Sequence, residues 1–334
     1  FSAEVSGEQY GSTRVQMGIQ PFGFAWELKP GESFQSPEAI MVYSANGLGE
    51  MSRRFHKIIR ENVCRGKFRD TERPVLINNW EATYFNFNQE KILALAEKAK
   101  AIGVDLMVLD DGWFGARNND KAGLGDYTVN KKKLPSGLAA LGKKINSLGM
   151  EFGLWFEPEC ISPNSDLYRA HPDWAIAVPH IEPAMSRYQM VLDITRPEVR
   201  DYVVGAVNRM LSENEIDYVK WDFNRLLTEN YSVALPRERQ QEMHHRYALG
   251  LYDLCERIIE ANPHVFFEGC AGGGGRYDPA LLRYFTQIWT SDDTDAYMRT
   301  RIQYGTSMVY PLSTQSCHTS ICPNHQTGRI TPFD

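Results

Sequence analysis

Lys220, Asp222 and Asn224 alternate along "YVKWDFNRLL" (218–227), a run whose aromatic and β-branched residues predict a strand. Residues two and four apart on a strand share a face, so the three side chains point together into a core. A buried lysine and aspartate are costly unless they are paired, hydrogen-bonded or used. A structural ion pair is the ordinary explanation. It becomes insufficient when similar chemistry recurs at other strand ends: Asn78, Asn79 and Trp80 in "NNW", Asp110, Asp111 and Trp113 in "DDGWF", Trp155, Glu157 and Glu159 in "LWFEPE", and Asp292, Asp293 and Asp295 in "WTSDDTDA".

Acids and amides beside tryptophans, without a phosphate-binding sequence, suit a carbohydrate. Sugar C–H patches stack on aromatic faces, and hydroxyl rims hydrogen-bond to carboxylates and lysine. Asp110 and Asp111 could grip two hydroxyls, or they could open a loop or cap a helix. Cleaving a glycosidic bond takes two carboxyl groups on opposite sides of it. Asp222 is the candidate nucleophile, with Lys220 keeping it ionised. The acid comes from another strand, and Asp292 sits nearest a strand end. Glu157 and Glu159 are rival acids, although "EPE" also suits a structural turn. "CHTSICPNH" gathers Cys317, His318, Cys322 and His325 at a spacing that matches no recurrent metal site. "DDTDAYMRTRIQ" begins like a calcium loop but lacks the turn glycine and closing glutamate. Neither a metal nor a cofactor is implied.

The elements that must position these residues follow a strand-then-helix rhythm from Pro74 onward. Eight strands are predicted at "PVLINNW", "VDLMVLDDGWF", "EFGLWFEPE", "QMVLDIT", "IDYVKWDF", "HVFFEGC", "QIWTSD" and "SMVYPLS". Helical spacing marks "NQEKILALAEKAKAIG" and "LAALGKKINSLG", and a capping box at Thr195–Glu198 opens "EVRDYVVGAVNRMLSE". The pattern predicts an α/β fold, a parallel (β/α)8 TIM barrel, whose sites lie at the carboxyl ends of the strands. A doubly wound open sheet is disfavoured: no strand is followed by GxGxxG or a Walker sequence, and "GCAGGGGR" has the wrong spacing. Residues 1–50 carry the β-rich runs "STRVQMGI", "FAWEL" and "AIMVYSA". Residues 51–73 hold a linker helix. Residues 74–334 form the barrel, with its last helix missing.

With 43% hydrophobic and 23% charged residues, the 334-residue chain has the make-up of a globular protein with ample length for a core. A net charge of -6, with 36 basic residues spread along the chain, argues against nucleic acid. No apolar run approaches a membrane span, and no signal peptide is visible. The chain opens at Phe1 and reads as the middle of a longer protein. Six cysteines without CxxC pairing suggest a reducing, cytoplasmic setting.

Six motifs, "LDDGWFG", "LWFEPE", "DITRPEVRDYV", "VKWDFNR", "EGCAGGGGR" and "WTSDDTDA", resemble in sequence and order the α-galactosidases of glycoside hydrolase family 36. The resemblance runs from about residue 20 to the end of the chain. It implies an N-terminal β-sandwich of which residues 1–50 are the tail, a catalytic barrel, and a C-terminal β domain absent here. It implies Asp222 as nucleophile, forming a covalent galactosyl-enzyme, and Asp292 as acid/base. It assigns Asp110 and Asp111 to the galactose 4- and 6-hydroxyls, Lys220, Asn224, Trp155 and Arg187 to the sugar pocket, and Trp80 to the leaving-group side. Cys270 and Gly272 would lie beside the 2-hydroxyl, leaving no room for an N-acetyl group. The implied activity is retaining exo-hydrolysis of terminal α-galactosyl residues in raffinose, melibiose and stachyose, by a homotetrameric full-length protein. Galactosyl transfer of the raffinose and stachyose synthase kind, α-N-acetylgalactosaminidase activity and non-catalytic sugar binding are the alternatives.

Overall fold

The computed structural model describes residues 1–332. Ser2–Gly7 (β1) and Thr13–Gly18 (β2) pair as an antiparallel hairpin with mostly exposed side chains. The predicted strands "FAWEL" and "AIMVYSA" form no ladder, because no partner strand lies beside them among the described residues. Phe24, Trp26 and Phe34 instead gather around His245. The linker helix is present as Gly47–Ile58 (α1), which continues into a π-helical turn at Ile59–Val63.

Further along, Leu76–Asn78 (β3) leads through one helical turn, Trp80–Thr83 (α2), to Gln89–Ala101 (α3). Asn88 caps α3 by accepting from the Lys91 amide, and Ile92, Ala96 and Ala99 form its buried face. Leu106–Leu109 (β4) precedes Leu138–Ser147 (α4), and Glu151–Phe156 (β5) runs into "EPE". An excursion follows, made of Cys160–Ile161 (β6), Asp166–Ala170 (α5) and Met190–Val191 (β7), and Pro197–Glu213 (α6) returns to the barrel. Then come Tyr218–Trp221 (β8) with Met243–Ala261 (α7), and Phe266–Gly269 (β9) with Pro279–Leu282 (α8). Gln287–Trp289 (β10), Ala296–Ser307 (α9) and Gln315–Ser316 (β11) complete the order.

β3, β4, β5, β8, β9, β10 and β11 hydrogen-bond in that order as one parallel sheet. Arg73, just before β3, donates to the carbonyls of Thr286 (3.4 Å) and Ser313 (3.1 Å), close to β10 and β11. The two edges therefore curl round toward each other as a barrel wall. The α/β barrel expectation holds, with seven strands among the described residues.

Three local expectations are corrected. "QMVLDIT" is not a barrel strand: β7 pairs antiparallel with β6, and β5 bonds directly to β8. An apolar run of that length signals burial but not which sheet will bury it. "SMVYPLS" is a helix end and turn, because Val309 and Tyr310 donate back to the Thr306 carbonyl and Pro311 has no N–H for a ladder. The edge strand is β11 instead. The capping box at Thr195 does not form: its hydroxyl donates to Asp193, Glu198 accepts from Arg196, and α6 starts at Pro197.

Alternation along the strands divides the wall into two faces. Met107, Leu109, Val219, Trp221 and Phe267 face the helices in the main core. Leu106, Val108, Tyr218 and Phe266 form a separate apolar layer inside the barrel, with Leu76 packed against it. Gly153 is matched to Tyr218 across the ladder, and a Cβ there would lie 2.8 Å from the Tyr218 ring. One step further along the same faces stand Asn78, Asp110, Trp155, Lys220 and Glu268. The polar residues thus sit on an apolar floor.

Candidate active site

Asp222 follows β8 directly and is buried. Its Oδ2 accepts from Trp155 Nε1 (3.1 Å) and Asn224 Nδ2 (2.6 Å), and its Oδ1 accepts from the Phe223 amide (2.9 Å). Burial opposes its charge, but the Lys220 ammonium and hydrogen bonds from Asn224, Cys270 and Trp155 outweigh that and hold its carboxyl below the usual value. Lys220 does not bond Asp222, however. Its Nζ donates to Asp110 Oδ2 at 3.1 Å, reaching past β5 to β4. A lysine stem could span the roughly 6.6 Å between residues two apart on a strand, but here the ammonium is taken by Asp110. The expected Lys220–Asp222 pair is an electrostatic neighbour; the bonded pair is Lys220–Asp110.

Asp110 also accepts from Asn78 Nδ2 (2.6 Å), and its own amide donates to Asn79 Oδ1 (2.8 Å). Asp111 is gripped by Arg117, with Nε 2.9 Å from Oδ1 and Nη2 2.8 Å from Oδ2, both side chains buried. Burial nevertheless pushes the Asp111 carboxyl above its usual value, against the pull of Arg117. Lys133 supports the same loop, donating to the carbonyls of Gly112 (2.9 Å) and Arg117 (3.2 Å), and burial lowers its pKa to about 8.

Asp292 lies beyond β10 on the rim and is exposed; its Oδ1 accepts from Trp289 Nε1 at 2.7 Å. The charges of Asp222 and Asp292 both act on the buried Cys270 thiol, and with burial they push it up. Gly272 sits against Asn224, and Gly273, at φ +88°, leaves its α-hydrogens where a Cβ would lie 2.9 Å from the Asp292 amide. Trp80 is half-buried, edge-on to Tyr84 and Phe85. Arg187, with backbone φ +53°, is exposed and makes no side-chain hydrogen bond among the described residues, although its charge reaches Asp111 and Glu157. All eleven residues expected from the sequence thus lie around the carboxyl ends of the strands.

The "EPE" acids divide. Glu159 is structural: it accepts from Trp221 Nε1 (2.9 Å), Tyr247 Oη (2.8 Å), and Arg276 Nη1 and Nη2 (3.0 and 2.9 Å). Glu157 lies against the site, bonded to Gln189 and the Asn224 amide. Arg117 and Lys133 were not expected, because nothing in "GARNNDKAG" or "NKKKLP" sets them apart from solvent-facing loop residues. Asp295 caps α9 by accepting from the Tyr297 and Met298 amides, which accounts for the loop-like "DDTDA". Among the described residues no three His, Cys, Asp or Glu side chains cluster as metal ligands, and no helix is long and apolar enough to cross a membrane.

A parallel α/β barrel with a polar, carboxylate-rich layer at the carboxyl ends of its strands defines the class as a TIM-barrel protein. The chain belongs to the melibiase family, whose sequence model matches residues 33–334. It is 55% identical to α-galactosidase AgaA of Geobacillus stearothermophilus over 99% of this chain and 45% of that protein. It is 50% identical to α-galactosidase Mel36A of Lactobacillus acidophilus, again over 99% of this chain and 45% of the relative. The crystal structure of AgaA superposes with a TM-score of 0.97, covering 99% of this chain and 46% of that one. Variants of AgaA have been solved with raffinose and with stachyose. The chain spans about half the length of the curated relatives it matches.

Proposed function

We propose that this chain carries the catalytic barrel of a retaining exo-α-galactosidase acting on terminal α-galactosyl residues of raffinose, melibiose and stachyose. The observation that carries the reading is Asp222, a buried carboxylate kept ionised by three donors and the Lys220 charge, with the exposed Asp292 carboxylate near enough that both charges act on Cys270. In this mechanism Asp222 attacks the anomeric carbon while Asp292 protonates the departing oxygen. Asp292 then deprotonates the water that releases galactose with net retention. Asp110 and Asp111 accept from sugar hydroxyls, and their fixed partners Asn78, Lys220 and Arg117 orient them. Trp155, Asn224, Arg187, Cys270 and Gly272 line the sugar, and Trp80 meets the leaving group.

The domain division at 1–50, 51–73 and 74–334, a homotetrameric whole protein and a cytoplasmic setting belong to the same reading. Four buried, unpaired cysteines suit a reducing compartment. The test is hydrolysis of p-nitrophenyl α-D-galactopyranoside followed by NMR. α-Galactose should appear first, and Asp222→Asn should abolish turnover. A β-anomer appearing first, or an active Asp222→Asn, would refute it.

A further inference from the structure

Glu157 is wholly buried at the end of β5, yet the double displacement gives it no task. Its Oε1 accepts from Gln189 Nε2 (2.6 Å) and from the backbone amide of Asn224. Its Oε2 has no partner, and neither has Gln189 Oε1. An ionised carboxylate buried with one oxygen undonated would be costly, whereas a neutral carboxyl in the same place is tolerable. The charged and titratable groups facing it are Asp222 from the end of β8, Arg117 from the loop after β4, Arg187 before β7, and Tyr127 and Cys160. Arg117 is committed to Asp111 and Arg187 is on the rim, so neither bonds it. Burial first, and then the Asp222 charge, push its pKa up to about 7.

Asn224 is the link to the chemistry: its backbone is held by Glu157, and its side-chain amide donates to Asp222 Oδ2. We propose that Glu157 is a positioning residue, an uncharged carboxyl that anchors the Asn224 backbone and so aims the Asn224 amide at the nucleophile. Neutrality matters because a second negative charge at this point would face Asp222 without a cation bonded to either. No proton passes through Glu157 in this role; it holds one while Asp222 forms and breaks its bond to the sugar. The inference rests on the reading of Asp222 as nucleophile.

The test compares Glu157→Gln with Glu157→Met in p-nitrophenyl α-galactoside hydrolysis. Glutamine keeps a neutral acceptor for the Asn224 amide and should keep kcat within about three-fold, whereas methionine keeps the volume but drops the acceptor. Misplacing a reacting group by about an ångström costs about 100-fold, and the methionine variant should lose kcat on that scale with KM nearly unchanged. A second readout needs no substrate. The wild-type melting temperature should fall between pH 5.5 and 8.5 by more than that of Glu157→Gln, because ionising a buried acid destabilises the fold. A glutamine variant as impaired as the methionine one, a methionine variant as fast as wild type, or identical melting profiles would overturn the inference. If the methionine variant does not fold, the glutamine variant's rate and melting profile decide. A wild type that releases no nitrophenol refutes the proposed activity and takes this role with it; the other outcomes leave that activity standing.

Discussion

Replacing Arg117 with methionine should disable the site from a distance. At 2.8 Å and an effective dielectric of 20, the gross attraction between Arg117 and Asp111 is about 6 kcal/mol. Deleting one partner of a buried pair costs about 3–5 kcal/mol, since the other is left charged in an apolar place. Burial already pushes the Asp111 carboxyl upward with Arg117 present, and without the cation it rises further. The folded pKa then stands further above the unfolded one. The loss of stability is greatest at neutral and alkaline pH and shrinks as pH falls toward the unfolded value. Urea unfolding at pH 7 and pH 5 measures this. A double-mutant cycle with Asp111→Asn isolates it, because an amide needs no cation, and Arg117→Met/Asp111→Asn should recover at least about 2 kcal/mol of the single mutant's loss. KM for galactosides should stay raised in both single mutants and in the double. Additivity within about 0.5 kcal/mol would refute the account of Arg117 as the residue that keeps Asp111 charged.

Asp292→Asn should remove the alkaline limb of the pH–rate profile and slow raffinose at least about 100-fold, the scale of general acid catalysis. The first step with p-nitrophenyl galactoside should suffer less, because nitrophenolate departs without a proton; equal losses on both substrates would argue for another acid. Gly273→Ala places a Cβ against the Asp292 amide at φ +88°, so it should cost about 1–3 kcal/mol in strain and lower kcat, and thermal melts with kinetics check both. Lys133 titrates at about 8 in the fold against 10.5 when free. The unfolded chain binds that proton where the folded one does not, so stability should rise across this window. Lys133→Met should flatten the rise measured in urea midpoints.

The barrel was legible because its strands are short hydrophobic runs ending in acids, amides and tryptophans, and a strand's alternation fixes which residues point inward. Asp222, Asp110 and Trp155 could be found that way. Their partners could not, because pairing depends on how far the wall curls. Lys220 reaches Asp110, 110 residues away in sequence, rather than Asp222 two residues on. Glu157 meets the Asn224 amide across 67 residues. Arg117 sits in a glycine- and asparagine-rich loop that has no period to betray burial. β7 misled for a related reason: a hydrophobic stretch shows that it is covered, and only the hydrogen-bonded neighbour shows by what.

Leu106, Val108, Tyr218 and Phe266, with Leu76 against them, close the barrel beneath the polar residues. A barrel filled there cannot thread a polymer through, so a substrate reaches the polar residues from one end only. Whatever enters headfirst leaves in reverse order. In a double displacement this dictates a departure sequence: the outer fragment goes first, water follows it in, and the sugar at the bottom is last out. Free galactose should therefore inhibit competitively, and the remainder of a raffinose-type chain should bind mainly to the galactosylated enzyme.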